Sequence, residues 1–156
     1  MTTIRDVIAA FAAVEEGLEI TEPYPEKIRR VYKYLPPAAD ALDLPCVMHQ
    51  YRPISETRGP NGQRTRVYAV RIDVLLAKHG AQTDVVSEMG AAFDEVIVSA
   101  FDGNVLLTSE QAAHQRLFDF GGNDYQPTLL YWNDIPYVGL RYEYSVSVRD
   151  TKEFAA

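Results

Sequence analysis

Residues 137–149, Tyr-Val-Gly-Leu-Arg-Tyr-Glu-Tyr-Ser-Val-Ser-Val-Arg, split into two distinct sets when read at period two. Val138, Leu140, Tyr142, Tyr144, Val146 and Val148 form an apolar row, while Tyr137, Gly139, Arg141, Glu143, Ser145, Ser147 and Arg149 form a more polar one. Successive side chains of a strand point to opposite faces, so the pattern predicts one long strand with a buried face and a wetter face. Residues 67–78 repeat it: Tyr68, Val70, Ile72, Val74 and Leu76 alternate with Val67, Ala69, Arg71, Asp73, Leu75 and Ala77. Two such segments are expected in one antiparallel sheet. Long strands with a polar second face suit a platform or a ring wall better than a catalytic pocket.

A chain of 156 residues fits one domain spanning 1–156, large enough to bury a core. Thr3 is placed to cap a first helix, with Asp6 in its first turn and Ile4, Val7, Ile8, Phe11 and Val14 along one stripe up to Gly17. A second helix is expected over Asp84–Phe101, where Val85, Met89, Ala92, Phe93, Val96, Ile97 and Ala100 recur at three and four, and Asp84, Glu88, Asp94 and Glu95 lie mostly off the stripe. The fold class expected is α+β: an antiparallel sheet with a long hairpin, packed against two helices. Between the first helix and the sheet, Glu19–Asp43 holds four prolines and reads as an irregular connection. Leu44–Tyr51 reads as the first strand, Val105–Leu107 as a short one, Arg116–Phe120 as extended, and Leu129–Trp132 as the strand before an Asn133–Pro136 turn. Residues 151–156 are expected to form a short flexible tail.

Between Leu44–Tyr51 and the strand from residue 67, residues 52–66 are expected to form a projecting hairpin loop, with Asn61-Gly62 as its tight turn. The loop carries Arg52, Arg58, Arg64 and Arg66 against Glu56 alone, in a chain of net charge −7. Two readings follow, a mobile solvated loop or a basic arm that docks on an acidic neighbour. Arg71, Asp73, Arg141 and Glu143, on the polar faces of the two long strands, are candidates for cross-strand ion pairs or for interface contacts that set register.

The acidic balance, with 22 acidic against 15 basic side chains, disfavours holding DNA through its phosphates. Cys46 is the only cysteine, so no internal disulfide is expected; a buried hydrophobic role fits it best, in a compartment where thiols stay reduced. With no signal-like apolar core and no run near the roughly 20 apolar residues that cross a bilayer, the expectation is a soluble protein made in the cytoplasm and not bound to membrane. His49, His79 and His114 are far apart and read as surface or hairpin histidines, without metal-ligand spacing. No nucleophile elbow, phosphate loop, dinucleotide fingerprint or zincin motif is present. Gly121-Gly122-Asn123-Asp124 reads as a turn, and adjacent Asp94 and Glu95 point apart on their helix. No catalytic, metal or cofactor residue is therefore expected.

The element order, together with Arg30-Val-Tyr-Lys-Tyr-Leu-Pro-Pro37 before Asp43-Leu-Pro45, Arg66-Val-Tyr-Ala-Val-Arg-Ile-Asp-Val74 and Tyr137-Val-Gly-Leu-Arg-Tyr-Glu-Tyr144, resembles the tail terminator proteins of tailed bacteriophages, the family of the lambda tail terminator. That resemblance covers nearly the whole chain. It implies a structural virion protein, not an enzyme: a homohexameric ring at the head-proximal end of the tail that caps the tail tube, ends its polymerisation and joins it to the head-completion (neck) protein. DNA would pass through the lumen without specific binding, which an acidic wall favours. Arg52, Arg58, Arg64 and Arg66, and separately Arg71, Asp73, Arg141 and Glu143, would then be partner or oligomer interface residues. Alternatives are a head-to-tail joining connector ring, or a small cytoplasmic enzyme or ligand-binding domain with a pocket near Trp132 and Tyr142.

Overall fold

The computed structural model describes residues 3–37, 42–80, 83–102, 112–117 and 128–151. In chain order these form α1 (Ile4–Glu15), β1 (Glu19–Ile20), β2 (Glu26–Lys27), β3 (Arg30–Tyr32), β4 (Cys46–Arg58), β5 (Gln63–Lys78), α2 (Thr83–Asp102), β6 (Ala112–Leu117), β7 (Thr128–Trp132) and β8 (Ile135–Thr151). β1 and β2 pair with each other, and the other six strands make one mostly antiparallel sheet in the order β3-β4-β5-β8-β6, with β7 on the same side of β8 as β6. Only β3 runs parallel to its neighbour, β4. This is the expected α+β architecture, two helices against a sheet built on a long hairpin.

Local chemistry sets the element ends. The Thr3 hydroxyl accepts from the Asp6 amide at 3.3 Å, and the Asp6 carboxylate accepts from the Thr3 amide at 2.8 Å, a reciprocal cap that satisfies two otherwise orphaned donors. β7 and β8 join through Asn133 and Asp134 alone, both at positive φ (51° and 63°), as a two-residue turn matched to strand twist demands. Ile135 and Pro136, expected in that turn, already belong to β8.

The helices cover one face of the sheet. Phe11 of α1, Phe101 of α2 and Tyr144 of β8 form a triangle with ring centroids 5.1, 5.3 and 5.5 Å apart, around which Val47, Val70, Ile72, Val74, Phe93 and Ile97 pack. Each large apolar side chain buried here contributes about 2–3 kcal/mol. The opposite face is not uniformly polar, as the alternation implied. At one end Cys46, Met48, Leu75, Leu130 and Tyr137 form a second buried cluster, covered by Tyr32, Leu42, Leu44 and Trp132. The proline-rich connection and β7 thus shield part of the second face. Burial pushes the Cys46 thiol up to about 12, with Asp43 adding to the shift, so the sulfur is a packed hydrophobe and not a nucleophile.

The residues expected to form a projecting loop mostly extend the sheet instead. β4 stays paired with β5 as far as Arg58↔Arg64, with a register shift between Pro53 and Ser55, and the reversal is confined to Gly59–Gly62. Pro53 and the polar residues around it looked like loop, yet the bulge absorbs the irregularity and alternation resumes beyond it. β8 follows β5 to the same limit, Gln63↔Thr151, so Thr151 belongs to a strand and not to a tail; residues 152–156 lie outside the described residues. Val105–Leu107 and Gly121–Asp124 also lie outside them; of the segment expected over Arg116–Phe120, Arg116 and Leu117 end β6 and residues 118–120 lie outside the described residues.

Candidate functional site

β4 past His49 is exposed throughout, so the hairpin's distal half, flanked by β8, projects as a sheet-built arm. Strand parity sorts its four arginines. Arg64 and Arg66 share the face of Tyr68 and Val70, and Arg58 and Glu56 stand opposite them in register. Around Glu56 the Arg66 Nε lies at 3.1 Å, the Arg64 Nε at 3.4 Å and an Arg58 terminal nitrogen at 4.0 Å. The hydrogen bond from Arg66, reinforced by the charges of Arg66, Arg58 and Arg64, holds the Glu56 carboxyl below its ordinary range. Within the hairpin one carboxylate therefore faces three guanidinium groups; β8 adds Asp150 opposite Arg64 and Arg149 opposite Thr65, so the arm keeps its excess of positive charge. Arg52 stands opposite Ala69, on the other face, and does not join this group.

Nearer the core, Tyr34, Tyr51 and Tyr68 form an edge-on series with centroids 6.5 and 6.2 Å apart. Tyr34 and Tyr51 remain 44% exposed, as does Leu35, and Ile54 on the same strand is 50% exposed. Apolar and aromatic surface thus adjoins the guanidinium cluster, the composition typical of a protein-binding surface.

Arg71, Asp73, Arg141 and Glu143 are brought together on the sheet face opposite the helices, where Arg71 pairs with Glu143 and Asp73 with Arg141 in the ladder. The Arg141 guanidinium grips the Asp73 carboxylate at both oxygens, 2.8 and 3.1 Å away, and this bond raises its already high pKa. Asp73 is only 6% exposed, so this pair belongs to the internal structure of the chain, while Arg71 and Glu143 lie at its border.

Two buried polar pairs escaped the sequence reading. His49, read as a surface or hairpin histidine, is enclosed: Nδ1 lies 2.7 Å from the Tyr32 carbonyl, and Nε2 lies 3.0 and 2.8 Å from the two carboxylate oxygens of Glu15. Its parity with Val47 and Ile72 on the covered face was the available signal. Asp94, expected off the apolar stripe of α2, is buried and accepts a hydrogen bond from the Tyr142 hydroxyl. Tyr142→Phe removes that donor and is expected to cost about 2 kcal/mol, read as a lower urea midpoint with an unchanged slope. His79 is exposed, and the side chain of His114 lies outside the described residues. Among the described residues no group of three His, Cys, Asp or Glu side chains is placed to hold a metal ion.

Trp132 and Tyr142 pack against opposite faces of the sheet, so no pocket between helix and sheet is shared by them. A hollow of about 300 Å³ does lie between α2 and the Leu44-Pro45 connection, where the Tyr24 hydroxyl donates to the Met89 sulfur at 3.3 Å. The remaining lining is mostly apolar, with Glu26 its one charged side chain. That environment can hold an apolar group but supplies no set of convergent polar groups for chemistry.

Among the described residues no helix is long and apolar enough to cross a membrane. No protein-family model matches the chain, and no curated protein matches it in sequence.

Proposed function

We propose that the chain is a structural virion protein of a tailed phage, which assembles as a ring, caps the tail tube, ends its polymerisation and joins the tail to the head. The observation that carries this reading is the sheet-built arm. Its three strands run beyond the covered core and present guanidinium groups beside exposed aromatic surface, an arrangement suited to docking on protein. Resemblance in element order and in the phrases around Leu44-Pro45 and Tyr137–Tyr144 agrees with it. On the sheet the charges brought together form ion pairs between neighbouring strands, Asp73 with Arg141 and Glu56 with Arg66, as a scaffold requires, and the apolar hollow offers no matching reaction chemistry. A closed ring needs two different surfaces per subunit that meet head to tail. The acidic balance of the chain suits a lumen through which DNA slides without sticking.

The test combines light scattering of the purified protein, alone and with tail tubes, with electron microscopy of the tube ends. The expected result is added density at one end of each tube and no further tube growth from that end. Tubes that keep growing bare-ended in excess protein would remove the terminator role, and binding to the head connector instead would move the chain to the joining class.

A further inference from the structure

We infer that the basic arm docks on the acidic outer face of α2 in a second copy of this chain, so that these two surfaces form the contact between neighbours. This deepens the ring reading and rests on it for the presence of a neighbouring copy.

Residues 52–66 carry four arginines against one glutamate, three net positive charges, within a chain of net −7. The balance of the chain therefore carries net −10, and α2 is its most one-sided element, with no lysine, arginine or histidine over its 20 residues. Its apolar stripe, with Phe93 and Ile97, is buried against the sheet, while Asp84, Glu88 and Glu95 are exposed. Spacings of four and seven place these three carboxylates along one side of the helix. Exposed Ala91 lies among them, so a partner surface can approach closely.

The arm offers the complement. Glu56, the one carboxylate of residues 52–66, is shared among three guanidinium groups, β8 adds Arg149 and Asp150 in balance, and the side chain of Arg58 is 80% exposed and that of Arg66 45% exposed. Next to them the exposed Tyr51 ring supplies an aromatic anchor. Arm and α2 are different surfaces of one molecule, so the contact is heterologous and can close into a ring. Opposite charge would fix its register and speed its formation, and salt would weaken it.

A charge exchange tests the pairing directly. Arg58→Glu/Arg66→Glu reverses the arm, and Glu88→Arg/Glu95→Arg reverses the helix. Each variant alone is expected to lose self-association at least about tenfold relative to the native chain, measured by sedimentation at low salt. An equimolar mixture is expected to regain it. Reversed arms then meet reversed helices, native arms meet native helices, and the two kinds of subunit alternate. Recovery on mixing also shows that both variants are folded.

A native chain that stays monomeric up to about 1 mM at low salt overturns the inference. So does a mixture that stays dissociated, or a reversed arm that still self-associates and loses only its binding to tail tubes or to duplex DNA. Tube capping is scored separately by microscopy. Assembly through this contact without capping keeps the inference and removes the terminator reading, whereas native assembly and capping by the arm variant do the opposite.

Discussion

Gly139→Val is expected to lower stability by about 3 kcal/mol, at the upper end of the cost of overpacking, and the melting temperature by about 10 °C. Gly139 lies in β8 where the strand is flanked by β5 on one side and β7 on the other, opposite Leu75 and Thr128. Any Cβ there would come within 2.2 Å of the Val74 carbonyl oxygen and 3.0 Å of a Leu130 methyl. The first of these is backbone in the central strand, so a new side chain is accommodated only by moving β5 or β8. The register shift between Leu75 and Ala77 falls at the same place. A β-bulge next to a close backbone approach is a site where glycine is required by space and not by dihedral freedom. Gly59→Ala and Gly17→Ala are the controls, since a Cβ there meets nothing closer than 3.6 and 3.9 Å. Thermal melts of the three variants decide the matter: a Gly139 variant that melts with the controls would mean that the two strands do not approach so closely in solution.

The same glycine illustrates what could be read from sequence. Alternation in 137–149 and 67–78 identified both long strands, their faces and their antiparallel pairing, because a buried apolar row leaves a strong period-two signal. Gly139 appeared only as a gap in the polar row, since the cost of a side chain there is set by β5, which is distant in sequence. Arginine, proline and serine over 52–58 and 63–66 mark no apolar face, so the sequence there reads as loop. Their pairing is held by backbone bonds that polar side chains do not advertise, while Asn61-Gly62 still placed the turn correctly. The candidate site residues were legible as charges but not as partners. Parity put Arg71, Asp73, Arg141 and Glu143 on one side; only the register distinguishes the close Asp73 and Arg141 pair and separates Arg52 from the other three arginines. Burial of Glu15, His49 and Asp94 was harder, because each hydrophilic side chain interrupts the pattern that defines its own buried face. Glu15 follows Phe11 by four and Ile8 by seven, so it belongs to the covered stripe of α1 by spacing alone.

Removing either member of the Glu15 and His49 pair is expected to destabilise the protein by about 3 kcal/mol or more, because the survivor is left buried without its counter-charge. Both residues are 1% exposed, and both imidazole nitrogens face acceptors, the Tyr32 carbonyl and the Glu15 carboxylate. Two acceptors require two protons on ring and carboxylate together, so the pair holds one proton more than a neutral histidine beside an ionised glutamate. Burial pulls the His49 pKa down, but the hydrogen bond and charge of Glu15, with the Tyr32 carbonyl, outweigh it and leave the group above its ordinary value. Burial also raises Glu15, against the opposing pull of His49. The folded state therefore binds the shared proton more tightly than the unfolded chain does. Its contribution is full below the unfolded histidine value of about 6.5 and is lost as pH rises through the higher folded value. Melting temperature should accordingly fall from neutral into alkaline pH in the native protein. In a Glu15→Leu/His49→Leu double variant that part of the slope should vanish, and much of the stability lost in Glu15→Ala or His49→Ala should return, since an apolar pair leaves no buried charge. Identical pH slopes in the native and double-leucine proteins, or a double variant less stable than both single ones, would show that the pair does not hold α1 to the sheet by this proton.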